Sequence, residues 1–196
     1  MKLLKLSQKL ALCLMLSVLN GQIANASSIA FSAAGDLTPM STFNVAANDT
    51  FNIDIIGTGF TELFGGTLDF QYDPTVIQLN SLSVNDTLFA FIPSNGIEVT
   101  PGIRQGVGFD VDVFSDPAAA GDFVIASINF SALAQGVSPL NILPVGSQFF
   151  SSTAALTPAF ENATINISEV PLPGSVWLML TGLALIVRRK STRHPH

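Results

Sequence analysis

The middle of this chain lacks most of the side chains that enzymes use as nucleophiles, bases and metal ligands. Residues 27–168 contain no cysteine, histidine, lysine or tryptophan, and Arg104 is their only basic residue. Serine–histidine, cysteine–histidine and Schiff-base catalysis therefore lack a required group, and zinc lacks its usual ligands. Because the only cysteine is Cys13, this region has no disulfide, and a packed core has to stabilise it.

Acidic side chains are the reactive groups that remain. Residues 27–169 hold all 14 acidic residues and one basic residue, which gives a net charge of −13. Such a surface repels nucleic acid and anionic lipid headgroups, so we predict no nucleic-acid partner. A pair of carboxylates, as in glycosidases, is the one catalytic arrangement that the composition still allows. Four acidic residues on predicted strands are candidates for such a pair, and no feature of the sequence singles out two of them. These candidates are Asp69, Glu98, Asp110 and Asp112.

Calcium is the one metal that this composition suits, since it takes oxygen ligands only. Asp110 and Asp112 would point to the same side of one predicted strand, which makes them the calcium candidates. Solvated carboxylates explain the same pattern, and no EF-hand loop is present. We therefore predict no enzyme activity and no required cofactor, with calcium as the only metal that remains open.

The N-terminus has the pattern of a secretory signal peptide. Three lysines precede the apolar run 10–19, and Ala24-Asn25-Ala26 supplies an A-x-A cleavage site. The apolar run is too short to span a bilayer as a stable helix. Residues 1–26 are thus predicted to direct export and to be removed after Ala26.

The C-terminus, residues 169–196, combines a proline motif, an uncharged apolar run and a basic end. Val170-Pro171-Leu172-Pro173 precedes the run 174–187, and Arg188-Arg189-Lys190 opens the basic tail 188–196. Counted from Val170, 18 residues of helix reach roughly 27 Å, close to the ~30 Å hydrocarbon core. We predict a single transmembrane helix at 174–187, which the basic cluster of Arg188, Arg189 and Lys190 stops on the cytoplasmic side of the inner membrane.

This order of elements resembles the PEP-CTERM sorting signal of Gram-negative bacteria. The resemblance implies export, retention in the inner membrane and processing by an exosortase, in cells that make extracellular polysaccharide. It assigns recognition to Val170, Pro171, Leu172 and Pro173, and Leu172 resembles the Val-Pro-Leu-Pro subgroup. Two alternatives stay open: a sortase-type signal at Leu172-Pro173-Gly174-Ser175, and a plain anchor without processing.

Between the two ends, apolar and polar residues alternate with period two, which predicts strands. Turn residues such as Gly57-Thr58-Gly59, Gly65-Gly66, Pro93-Ser94-Asn95-Gly96 and Gly121-Asp122 separate the alternating stretches. About nine short strands at this spacing predict an antiparallel β-sandwich over residues 27–168. The clearest strands are 42–46, 51–55, 67–72, 76–84, 106–114, 122–133 and 163–167.

Three stretches of this region are similar to cohesin domains: residues 51–55, 65–77 and 121–130. The step Tyr72-Asp73-Pro74 at the end of a strand is the most specific of these features. The resemblance implies a nine-stranded jelly-roll sandwich related to carbohydrate-binding modules. Cohesins of cellulosomes bind dockerins, whereas similar domains occur in surface proteins without that partner.

Binding of sugars by stacking requires exposed flat aromatic rings. The only tyrosine, Tyr72, shares a strand face with Leu68 and Phe70 and is predicted to lie in the core. We therefore predict an exported, non-enzymatic protein, delivered to the cell surface or matrix, that is structural or adhesive in extracellular polysaccharide or biofilm. The alternatives are a cohesin-like module that binds a dockerin-like protein or a polysaccharide, and a carboxylate-pair hydrolase.

Overall fold

The computed structural model describes residues 26–112, 118–169 and 179. The sorting motif at 170–173, the basic cluster at 188–190, Ala24 and the predicted transmembrane helix at 174–187 (apart from Met179) lie outside the described residues. Within the part of the chain that the structure describes, no helix is long and apolar enough to cross a membrane.

The described residues form strands almost throughout, as the period-two pattern predicts. Thirteen strands follow one another: β1 Ser28–Ala33, β2 Thr42–Ala46, β3 Thr50–Leu63, β4 Gly65–Tyr72, β5 Ile77–Val84, β6 Phe91–Thr100, β7 Ile103–Asp110, β8 Ala119–Ala132, β9 Gly136–Ile142, β10 Gln148–Phe150, β11 Ala155–Leu156, β12 Ala159–Phe160 and β13 Ala163–Ser168.

The strands form two sheets. A five-stranded sheet has the order β12-β1-β3-β8-β5. In the eight-stranded sheet β4 pairs with β7 on one side and with β9 and β10 on the other. The pairs β6–β7 and β9–β13–β2 extend this sheet outward, and β11 continues it beyond β10. The prediction of an all-β sandwich is confirmed.

Two details of the predicted sandwich were wrong. The described residues contain 13 strands where about nine were predicted, partly because β11 and β12 have only two residues each and show no alternation. The sandwich is also not purely antiparallel, since β12 runs parallel to β1 and β13 runs parallel to β2. Parallel pairing joins segments that are distant in sequence, and no local pattern reveals it.

The core lies between the inner faces of the two sheets. Leu68, Phe70 and Tyr72 of β4 point into it, as predicted, and Tyr72 is only 5 % exposed. The pairing of β3 with β8 shifts by one residue: Ile55 pairs with Ala126, but the next residue, Ile56, pairs with Val124. Residue 125 is therefore an extra residue on β8, and the side of the strand that is buried changes there. This bulge buries both neighbours at positions 125 and 126, so the strict alternation predicted for 122–133 does not hold.

For four glycine-containing stretches turns were predicted, but the structure places these stretches within strands. Gly57-Thr58-Gly59 belongs to β3, Gly65-Gly66 to β4, Pro93–Gly96 to β6 and Gly121-Asp122 to β8. Gly59 and Gly121 have φ angles of 65° and 79°, and both lie at irregularities of the β3–β8 ladder. Glycine permits a bulge at these positions of the long strands. Because turns and bulges both favour glycine, the sequence alone does not distinguish them.

Candidate functional site

Asp69 was one of the four candidates for a carboxylate pair, none of which the sequence singled out, and in the structure it has a structural role. It is 5 % exposed, and its Oδ1 accepts a hydrogen bond of 2.7 Å from the Gly106 backbone amide. Gly106 has a φ angle of 70° and lies at a register shift between β4 and β7. The backbone amide of Asp69 donates to Ser147 Oγ at 3.0 Å. Asp69 therefore holds a bulge and a covering turn together.

Glu98, the second member of that candidate set, is also engaged by the fold. Its Oε1 accepts hydrogen bonds from the Tyr72 hydroxyl at 3.1 Å and from the Gly102 amide at 2.8 Å. Burial, followed by the hydrogen bond to Glu98 and its negative charge, raises the pKa of Tyr72 to about 12. Glu98 therefore links β6 to the core through Tyr72, which is a structural role and not that of a catalytic acid or base.

The outer face of the five-stranded sheet carries hydroxyl and amide side chains. Asp54 accepts hydrogen bonds from Ser127 Oγ at 2.6 Å and from the Gly35 amide at 2.8 Å. Asn129 donates to Asn52 Oδ1 at 2.6 Å and accepts from the amide of Asn80 at 2.8 Å. Because these groups already bond one another across three strands, they act as cross-strand ties.

The calcium candidates do not gain a third acidic ligand from the described residues. Asp110 ends β7, and Asp112 lies two residues further along. Among the described residues no group of three or more histidine, cysteine, aspartate or glutamate side chains could hold a metal ion. Asp122, a further acidic residue on β8, accepts a hydrogen bond from the Gly59 amide at 2.8 Å.

A row of four residues crosses the outer face of the eight-stranded sheet. Phe91 of β6 pairs with Asp110 of β7, Asp110 pairs with Gly65 of β4, and Gly65 pairs with Phe150 of β10. Directly paired residues of antiparallel strands point to the same side. The next row, which contains Phe109 and Phe149, is buried, so the first row points outward. We call it the outer row.

The two phenylalanines of the outer row are unusual because they are exposed. Phe91 is 61 % exposed and Phe150 is 40 % exposed. Strands lie about 4.8 Å apart, so the two rings flank Asp110 and Gly65 at a separation of about 14 Å. No local sequence pattern indicates this arrangement, because it arises from the pairing of four separate strands.

Asp110 lies within the outer row with an unmet hydrogen-bonding requirement. Its Oδ1 is the only buried side-chain oxygen or nitrogen without a hydrogen-bond partner among the described residues. A Cβ atom added at Gly65 would lie 2.8 Å from this oxygen, so only glycine leaves room for the carboxylate there. Burial raises the pKa of the Asp110 carboxyl above its usual value, against a lowering contribution from the Val111 amide.

β6 extends this surface with two further apolar side chains. Ile97 and Val99 are 66 % and 46 % exposed, and both lie on the strand that carries Phe91. Among the described strands β6 pairs only with β7, so it is an edge strand. Its centre is protected, because Pro93 has no amide hydrogen and Arg104 donates to the Asn95 carbonyl at 2.9 and 3.1 Å. Contacts with another molecule are therefore left to the exposed side chains.

Comparison with solved structures shows what this sandwich is similar to. The cohesin CaCohA2 of Clostridium acetobutylicum is 14 % identical with a TM-score of 0.55, and the match covers 73 % of this chain and 92 % of that one. The type I cohesin–dockerin complex of Clostridium thermocellum that contains OlpA matches at 13 % identity and a TM-score of 0.56, over 74 % of this chain and 100 % of that one.

A non-cellulosomal cohesin from the archaeon Archaeoglobus fulgidus matches at 13 % identity and a TM-score of 0.56, with 78 % of this chain and 97 % of that chain covered. No protein-family model and no curated protein matches the sequence. At these identities the likeness concerns the fold alone: the described domain has the cohesin fold, as the resemblance of residues 51–55, 65–77 and 121–130 implied.

Proposed function

We propose that this chain is an exported, non-enzymatic module that binds a protein partner through the outer row and the exposed side chains of β6. Two observations carry the proposal. Phe91 and Phe150 are exposed and flank Asp110, of which one oxygen is buried without a hydrogen-bond partner among the described residues. Ile97 and Val99 are exposed on the same edge strand as Phe91. Exposed aromatic and aliphatic side chains around a polar anchor are typical of protein-binding surfaces. Solved neighbours of the same fold are cohesins in complex with dockerins, which supports a protein ligand.

The charge of the domain favours a basic partner. Residues 27–169 carry −13, and their single basic side chain, Arg104, is engaged with the Asn95 carbonyl. An acidic surface attracts a basic partner and raises the rate of its association, and it repels a second copy of the same domain. A partner with basic and apolar side chains therefore fits this surface better than self-association does.

Export and sorting are part of the proposal. Residues 1–26 would direct secretion, and residues 169–196 would hold the protein in the inner membrane until an exosortase-like enzyme processes it at the 170–173 motif. The binding module would then act at the cell surface or in the extracellular matrix. Mass spectrometry of the surface form tests this: a C-terminus near Pro173 supports processing, whereas an intact chain in the membrane supports a plain anchor.

A polysaccharide ligand is the second candidate, and the outer row gives it specific support. Sugar rings stack on exposed aromatic faces, and Phe91 and Phe150 supply two. The expectation drawn from the sequence concerned Tyr72 alone and did not include exposed phenylalanine rings. A structural or adhesive role in extracellular polysaccharide depends on this candidate.

Site-specific photo-crosslinking in the producing cells tests the protein-binding proposal. The full-length chain would carry p-benzoylphenylalanine at position 91, 97 or 150, and at Leu133 as a control, which is 47 % exposed and directly follows β8 of the other sheet. We expect one crosslinked protein from positions 91, 97 and 150 that is absent from position 133. Crosslinking from positions 91 and 150 should be lost in the Ile97→Ser/Val99→Ser variant. Equal crosslinking from all positions, or binding of a polysaccharide that Phe91→Ala abolishes, would reject a protein partner.

A further inference from the structure

The outer face of the five-stranded sheet is polar but almost uncharged. Three adjacent rows of paired residues cross β3, β8 and β5 on this face. The rows are Asp54, Ser127 and Ser83; Asn52, Asn129 and Ser81; and Thr50, Ser131 and Gln78. Ile53 and Ile128, which lie between the rows, are fully buried, so the rows face outward. Asp54 is the only ionisable side chain in the three rows, although the chain has 14 acidic residues.

A groove of about 420 Å³ lies over the first two rows, and its lining includes all six of their residues. Ala34 and Gly35, which follow β1, line it as well, and β5 is an edge strand of the sheet. Among the described residues that line the groove there is no aromatic and no basic side chain. Its volume is within the range of roughly 300–1,000 Å³ that is typical of ligand sites.

Hydrogen bonds hold the asparagines of this face in fixed orientations. Asn129 donates one amide hydrogen to Asn52 Oδ1 at 2.6 Å and accepts one from Asn80 at 2.8 Å. Asn80 donates its other amide hydrogen to Ser131 Oγ at 2.8 Å. Since an amide group has two donor hydrogens, Asn129 keeps one and Asn52 keeps two that have no partner among the described residues. The groove therefore offers donors that the fold has already oriented.

The hydroxyl groups of β5 add to these donors. Ser81 and Ser83 are exposed. Ser81 makes no side-chain hydrogen bond within the described ranges, and Ser83 Oγ has only a long contact of 3.4 Å to the Val84 carbonyl. Strands favour β-branched and aromatic residues and disfavour asparagine and aspartate. Residues that suit a strand poorly and leave their polar groups free are expected where function requires them.

We infer that this groove binds a neutral polysaccharide chain through the hydroxyl groups of its sugar rings. Sugar hydroxyls donate and accept, so they complement amide hydrogens and serine hydroxyls that lie side by side. The groove offers no free carboxylate to a cationic ligand, because Asp54 is 4 % exposed and its two oxygens accept from Ser127 and from the Gly35 amide. The net charge of −13 over residues 27–169 repels anionic polymers.

The groove and the outer row lie on different sheets, so this inference does not depend on the proposed protein partner. It also differs from stacking of sugars on Phe91 and Phe150, since the groove binds through hydrogen bonds alone. The fixed asparagines lose little side-chain freedom when a ligand binds, which favours affinity. With a protein on one sheet and a glycan on the other, the domain would link its partner to a polysaccharide matrix.

Affinity gel electrophoresis tests the inference. The full-length chain, in a detergent without a sugar headgroup, would migrate through native gels that contain dextran, galactomannan or xyloglucan, with alginate as the anionic comparison. A protein that does not bind gives the same migration relative to a reference protein in every gel. We expect retardation by at least one neutral polymer and none by alginate.

Two double variants give a matched comparison. Ser81→Gln/Ser83→Gln fills the groove from exposed positions and should weaken binding by at least about tenfold. Ser41→Gln/Ser152→Gln changes two exposed serines outside the groove and should leave binding unchanged. Equal urea midpoints would show that both variants are folded.

The outcomes separate this site from the outer row. Absence of retardation by all three neutral polymers, or equal retardation of the Ser81→Gln/Ser83→Gln variant and the wild type, would overturn the inference. Retardation that Phe91→Ala abolishes and the groove variant retains would assign the glycan to the outer row, which also overturns it. Retardation that only the groove variant loses supports the inference, whether or not the outer row crosslinks to a protein.

Discussion

The substitution Asp110→Asn should stabilise the domain at neutral pH, which is unusual for a change within a β-sheet. One oxygen of Asp110 is buried over Gly65, and no described residue donates to it, so the ionised carboxylate is poorly solvated in the folded protein. An unsatisfied buried polar group costs about 1–3 kcal/mol. Since Asp110 is only partly buried and the Val111 amide offsets part of the penalty, we expect a gain of about 1 kcal/mol at pH 7.

The pH dependence of this gain distinguishes charge from other causes. Burial raises the pKa of Asp110 in the folded state above its value in the unfolded chain. The folded protein therefore holds this proton more tightly, and the penalty is absent well below pH 3.8 and grows as the pH rises through the folded pKa. The difference between wild type and Asp110→Asn should thus be largest at pH 7 and nearly vanish at pH 3.

Asp73→Asn provides a control with the opposite sign. Asp73 Oδ1 accepts hydrogen bonds from the hydroxyl and the amide of Thr75, at 2.7 and 2.8 Å, which lower its pKa. Its stabilisation is present above the unfolded pKa and is lost as the pH falls through the folded pKa. Asp73→Asn should therefore be less stable than wild type at pH 7, and this deficit should disappear in acid.

Urea denaturation of the processed chain, followed by circular dichroism at pH 7 and pH 3, measures both effects. An unchanged m-value would show that the variants alter stability rather than the unfolded state. A gain of about 1 kcal/mol corresponds to roughly 4 °C in Tm for a domain of this size. If Asp110→Asn lowers the stability at pH 7 while Asp73→Asn behaves as expected, Asp110 has a stabilising partner and the argument for the outer row fails.

Three further substitutions test the core and its connection to β6. Tyr72→Phe removes the hydrogen bond to Glu98 and should cost about 1 kcal/mol. In the wild type, ultraviolet titration of this only tyrosine should have its midpoint at about pH 12, unless the protein unfolds first. Gly102→Ala should cost about 2 kcal/mol or more, because the φ angle is 83° and the new Cβ would strike the Tyr72 carbonyl. Phe130→Ala should cost about 3–5 kcal/mol, since the ring is fully buried against Phe51 and Tyr72. Urea midpoints that stay at the wild-type value would contradict each of these.

The sequence predicted the fold where side-chain alternation decides it. Leu68, Phe70 and Tyr72 were assigned to the core from their spacing, and their burial confirms it. Prediction failed where a bulge shifts the alternation, as at positions 125 and 126 of β8, because one extra residue reverses every later side chain. The burial of Asp69 could not be predicted either. The turn that covers it comes from residues 143–147, more than 70 positions later in the sequence.

The outer row could not be predicted, because its four members come from four strands of unrelated local pattern. Phe91 and Phe150 look like core residues in sequence, and only the register that pairs both strands through Asp110 and Gly65 places them outside. Local alternation carries no information about which of two sheet faces meets solvent. The cohesin-like stretches, by contrast, contain their own signal, since Tyr72-Asp73-Pro74 ends a strand and turns the chain within three residues.

The acidic side chains differ in their hydrogen bonds. Most of those described above stabilise the fold, whereas one is better suited to binding a partner. Asp54, Asp69, Asp73, Glu98 and Asp122 each accept a hydrogen bond that closes a turn, a bulge or a strand contact. Asp110 differs, because its buried oxygen has no donor among the residues that the structure describes. A group that lowers stability without helping the fold is expected where function requires it. A basic side chain of a partner, placed between two exposed phenylalanine rings, would satisfy that carboxylate, and binding rather than folding would then explain why aspartate occupies this position.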